Sequence, residues 1–139
     1  MLEYPTHTWE SVVDFFRQLA DANPAFAPMG AAVEQLATSP YAAGLYPVQS
    51  MHTLRLYQQE RAGPTDEELR LDFEDGAFVV CHRAGETPDP RFTLRAPPGV
   101  WTKRGPDAIV LLERAFHHLR WFVEYRGVVP DGPHHDPAV

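Results

Sequence analysis

The run from Leu69 to Cys81 (Leu-Arg-Leu-Asp-Phe-Glu-Asp-Gly-Ala-Phe-Val-Val-Cys) constrains this chain more than any other stretch. Apolar and polar residues alternate up to Asp75-Gly76, and a second apolar run follows. A two-residue type I′ turn needs positive φ at both central positions, which Asp-Gly adopts readily, so the pattern predicts a tight hairpin. Closing it at residues 75 and 76 opposes Glu74 with Ala77, Phe73 with Phe78, Asp72 with Val79, Leu71 with Val80, Arg70 with Cys81, Leu69 with His82 and Glu68 with Arg83. Successive side chains on a strand point to opposite faces. Leu69, Leu71, Phe73, Phe78 and Val80 therefore share the core face, and Glu68, Arg70, Asp72, Glu74, Val79, Cys81 and Arg83 share the outer one.

The flanking segments supply the other elements. Thr8 suits the N-cap of a helix reaching about Ala22, with Val12, Phe15, Phe16 and Leu19 at helical spacing and Asn23-Pro24 as its stop. A second helix is expected from about Pro28 to Thr38, ended by Ser39-Pro40. Residues 41–50 read as a linker, and a first strand is expected over Met51–Gln59, with Leu54 and Leu56 inward and Arg55 and Tyr57 outward. Beyond the hairpin, Phe92 and Leu94 alternate with Arg91, Thr93 and Arg95 as a short fourth strand. A last helix starts with Pro106 at its first position and Asp107 in its first turn, and ends at Gly127. Its stripe is Ala108, Leu111, Leu112, Ala115, Leu119, Phe122 and Val123. The expected fold is α+β: two N-terminal helices, a four-stranded antiparallel β-meander and a long C-terminal helix packed on one sheet face. One domain spans residues 1–128, and 129–139 form a mobile C-terminal tail.

Composition narrows the function classes. No apolar stretch approaches the roughly 20 residues of a membrane helix, and the N-terminus lacks a signal-peptide pattern. The single cysteine, Cys81, excludes an internal disulfide. These features point to a cytoplasmic protein with no membrane partner. A net charge of −7 argues against nucleic acid, whose phosphates need a basic surface. No Walker, dinucleotide, Gly-x-Ser-x-Gly or His-Glu-x-x-His pattern is present, so no cofactor and no catalytic residue is expected. Adjacent helical residues point about 100° apart, so His117 and His118 do not share a metal ion. The tail pair His134-His135 offers no closed site, and no metal is expected.

Three places remain where side chains converge. The first is the outer sheet face, with Arg55, Tyr57, Arg70, Cys81, Arg91 and Arg95; arginine and tyrosine are residue types enriched at interface hot spots. Its plain alternative is a wet face laced by ion pairs such as Glu68–Arg83. The second is a helix patch of Trp121, His117 and Tyr125, with burial of Trp121 in the core as its alternative. The third is a pocket between the 41–50 linker and the 97–106 loop, with Tyr46, His52, His82 and Arg104 as its polar groups. The leading expectation is a non-catalytic protein-binding module, an inhibitor, immunity-type or chaperone-type small acidic protein. Its partner is another protein or a second copy in a homodimer. The alternative is an enzyme or small-ligand-binding domain using the pocket.

Overall fold

In a computed structural model, residues 7–60, 62–63, 66–84, 101–119 and 121 are described. Three helices, α1 (Trp9–Ala22), α2 (Ala27–Ala37) and α3 (Ala108–Leu119), cover one face of a five-stranded antiparallel sheet. Its strands are β1 (Tyr46–Ser50), β2 (Thr53–Tyr57), β3 (Glu68–Glu74), β4 (Ala77–Arg83) and β5 (Trp101–Gly105), in spatial order β1-β2-β3-β4-β5. The fold is α+β, as expected, but the sheet has five strands rather than four.

The helices begin and end where local chemistry directs. Thr8 caps α1: its hydroxyl accepts from the Ser11 N–H at 3.0 Å, and the Thr8 N–H donates back to the Ser11 hydroxyl at 3.2 Å. This reciprocal pair satisfies two backbone donors that a helix start leaves open. Asn23 closes α1 and caps the short 3₁₀ turn Pro24–Phe26. Gly30 lets α2 approach α1 closely, because a Cβ there would sit 3.3 Å from the Phe16 carbonyl oxygen. α3 differs in detail from the sequence reading. Asp107 is outside its first turn and caps it, with Oδ1 accepting from the Val110 N–H at 3.1 Å. Phe116 joins the buried stripe beside Leu112, Ala115 and Leu119.

The β3–β4 hairpin has all seven pairs of the expected register. Asp75 and Gly76 take φ of 53° and 76°, which is the left-handed backbone that an Asp-Gly turn supplies. Leu69, Leu71, Phe78 and Val80 join Leu54 and Leu56 on the inner face, against Val12, Phe16, Met29, Val33, Leu36 and the α3 stripe. Phe73 is partly buried at the end of this layer, its ring 4.9 Å from that of Phe78.

Two strands depart from the sequence reading. Residues 46–50, expected as linker, form β1 and pair with β2 through the two-residue turn Met51-His52. Pro47 is tolerated because β1 lies at a sheet edge, where a missing N–H interrupts no ladder. The edge is also covered locally: the Gln49 N–H donates to His7 Nδ1 at 2.9 Å. The other is β5 at residues 101–105, which lies beside β4, where the sequence reading placed a loop. The expected strand at 91–95, the C-terminal reach of the last helix to Gly127 and the tail at 129–139 lie outside the described residues.

Candidate functional site on the outer sheet face

Pairing puts Arg55, Tyr57, Glu68, Arg70, Asp72, Val79, Cys81, Arg83 and Arg104 on the face opposite the helices. This face is not uniformly wet. At its β1–β2 corner Val48, Tyr57 and Ala62 form a second buried cluster. Tyr57 is therefore not an exposed aromatic platform: it is sealed beneath its neighbours, and its hydroxyl donates to Glu68 at 2.6 Å.

Glu68 is the centre of the corner. Its side chain is 1% exposed, with Arg83 Nη2 at 3.2 Å and Arg55 Nη1 at 3.3 Å. Burial alone would raise the carboxyl pKa. Hydrogen bonds from Tyr57 and Arg83, and the charges of Arg83 and Arg55, outweigh that effect and hold it below its ordinary value. The expected wet Glu68–Arg83 pair is thus centred on a buried carboxylate with three donors, where losing one partner costs far more than at a solvent-exposed pair.

Arg70 stands differently. It lies directly opposite Arg55 across β2 and β3, an arrangement in which like charges oppose pairing. Arg55 is compensated by Glu68. Among the described residues, Arg70 has one carboxylate within ion-pair range, Asp72 at 3.9 Å, and Asp72 Oδ1 already accepts from the Thr53 hydroxyl. Arg70 Nε is buried with no hydrogen-bond acceptor among the described residues, while the side chain as a whole is 41% exposed. The centre of the face therefore carries a half-exposed guanidinium whose Nε has no acceptor among the described residues. Beside it are the half-buried Val79 and Cys81; the Thr102 hydroxyl lies 3.5 Å from Cys81 Sγ. Arg104 sits at the far side, donating to the Glu74 carbonyl at 3.0 Å. Arg91 and Arg95 lie outside the described residues.

The helix patch does not form around Trp121. The indole is withdrawn into the main core, 1% exposed, and stacks on Phe116 with ring centroids 6.1 Å apart. Burying so large a ring outweighs leaving it in water. His117 is exposed, and Tyr125 lies outside the described residues.

The four polar groups of the expected pocket do not converge. His82 is fully buried on the inner face, its Nε2 2.8 Å from Glu67 Oε2. Its neighbour Cys81 looks the other way, because adjacent strand residues alternate, so the two form no thiol–imidazole pair. His52 is exposed in the β1–β2 turn, its ring 4.6 Å from that of Phe26. Tyr46 is on β1 and Arg104 on β5, at opposite ends of the strand order. The hollow that does exist near the 41–50 segment, about 280 Å³, includes Tyr46, but its other walls come from residues 7–9 and from Tyr57, Gln59, Glu60 and Ala62.

No protein-family model, curated protein or solved structure matches this chain.

Proposed function

We propose that this chain is a non-catalytic protein-binding module of the inhibitor, immunity or chaperone type, acting in the cytoplasm and docking an acidic segment of its partner on the outer sheet face. Arg70 is the observation that carries this reading. Among the described residues this half-exposed guanidinium has a single carboxylate at 3.9 Å and no acceptor on its Nε, which leaves room for a second carboxylate. A partner carboxylate that accepts from the exposed end of the guanidinium would offset the repulsion from Arg55. The surrounding geometry suits recognition. Glu68 fixes Arg55 and Arg83, so little side-chain freedom is lost there on binding. The half-buried Val79 and Cys81 add apolar area at the centre. A cationic centre on a protein of net charge −7 also orients an acidic segment toward one face and away from the rest.

The test is capture of partners from a lysate of the source cell by the tagged chain, comparing wild type with Arg70→Glu and with Glu10→Lys, a charge change on an exposed residue of α1. Loss of the captured protein with Arg70→Glu, at unchanged circular dichroism, and retention with Glu10→Lys are expected. Equal capture by all three, or no protein captured by wild type, rejects the sheet face as the binding surface.

A further inference from the structure

We propose that the hollow beside β1 is a binding site for an alkylammonium group, carried either by a small amine or by a lysine-type side chain. This inference uses none of the outer-face argument for Arg70. The hollow has a volume of about 280 Å³ and lies where residues 7–9, the segment 42–48 and the residues Tyr57, Gln59, Glu60 and Ala62 meet. Trp9 and Tyr46 are the partly exposed aromatic residues of its wall, the fully buried Tyr57 lies behind them, and Pro47, Val48 and Ala62 contribute aliphatic surface. That size is near the lower end for ligand pockets, which fits a small group rather than a nucleotide or an extended peptide.

The chemistry of the wall selects a cation. Trp9 Nε1–H donates to the carbonyls of Ala42 at 3.1 Å and Leu45 at 3.3 Å. The Tyr57 hydroxyl is held by Glu68. With its N–H turned to the protein, what Trp9 offers the hollow is indole surface, fixed in place before any ligand arrives. Aromatic faces carry negative quadrupolar charge, and indole attracts cations most strongly. Glu60, the acidic residue of the lining, is exposed and has no hydrogen-bond or ion-pair partner among the described residues. No lysine or arginine is found among the described lining residues. His7 Nδ1 accepts from the Gln49 N–H, which requires that nitrogen to be unprotonated. Rigid aromatic surface beside a carboxylate that has no partner among the described residues, with no competing cation from the described lining, is complementary to a soft organic cation. The net charge of −7 adds long-range attraction of the same sign.

The experiment is a nuclear magnetic resonance titration of the full chain, following the indole N–H of Trp9, assigned by its loss in Trp9→Phe. The probes are choline, its uncharged isostere 3,3-dimethylbutan-1-ol, and a short peptide containing one trimethyllysine. Saturable shifts with choline or the peptide are expected, with the uncharged isostere about tenfold weaker or more, since its cation–π attraction is absent. The ratio between choline and the peptide tells which source the site prefers. Tyr46→Ala removes a partly exposed ring (38% exposed) and is expected to weaken binding about tenfold, and Glu60→Gln by a few-fold. Equal binding of choline and its isostere overturns the proposal, as does the absence of saturation by either cation. Affinities unchanged in both Tyr46→Ala and Glu60→Gln place the ligand elsewhere and also reject it.

Discussion

Replacing Glu68 by alanine removes the acceptor on which Tyr57, Arg55 and Arg83 converge. Stranding a fully dry charge costs about 3–5 kcal/mol, whereas a fully exposed pair is worth under about 1 kcal/mol. Arg55 and Arg83 retain side-chain exposures of 23% and 36%, so water compensates part of each charge and the electrostatic loss falls toward the lower bound. The Tyr57 hydroxyl is buried and loses its acceptor, which costs a further ~1–3 kcal/mol. Glu68→Ala should therefore destabilise by about 2–4 kcal/mol. Glu68→Gln keeps an oxygen for Tyr57 but loses the charge, and should cost about half as much. Urea unfolding followed by circular dichroism measures both. With a slope of about 1–3 kcal/mol per molar, the alanine variant should move the midpoint down by roughly 1 M or more at unchanged slope. A double-mutant cycle with Tyr57→Phe should show coupling of about 0.5–3 kcal/mol. Costs under about 0.5 kcal/mol for both Glu68 variants, typical of surface substitutions, would falsify the reasoning, because they would put this carboxylate in water and dissolve the Val48–Tyr57–Ala62 corner.

Two further outcomes follow from the same geometry. The folded pKa of Glu68 lies below its ordinary value of 4.5, so its contribution is complete above that value and is lost as pH falls through the lower folded one. The stability gap between wild type and Glu68→Gln should narrow in acid, as read from unfolding midpoints across pH 7 to 3; a gap that widens as pH falls contradicts the sign of the shift. Gly76 sits at φ 76° with open space around a Cβ, so Gly76→Ala should cost about 1–2 kcal/mol through backbone strain alone. A neutral effect in the same unfolding assay would mean that the turn is not left-handed.

The hairpin was legible because Asp-Gly announces its own backbone geometry and alternation then fixes both faces. The β1–β2 hairpin carries no such announcement. Met51 takes φ 53° without being Gly, Asn or Asp, and Pro47 reads as a linker residue although an edge strand accommodates it. The strand β5 is short and begins at a tryptophan whose flanking Pro-Gly residues suggest a loop. Glu68 looked solvent-facing because register alone assigns a face and not its cover. Around it Tyr57, Arg55 and Arg83 converge, a contact between segments that no local pattern encodes. The aromatic hollow was out of reach for the same reason: Trp9 reads as a helix-start residue, and only the fold brings it to Tyr46 and Tyr57.

The central claim is that, among the described outer-face arginines, Arg70 is left available while Arg55 and Arg83 are held. Residue-resolved modification of the native protein by phenylglyoxal, read by mass spectrometry after digestion, tests it directly. Arg70 should react several-fold faster than Arg55 and Arg83, and Glu68→Gln should raise the rates of those two without changing that of Arg70. Reaction of Arg55 or Arg83 at the Arg70 rate in the wild-type protein would contradict the account.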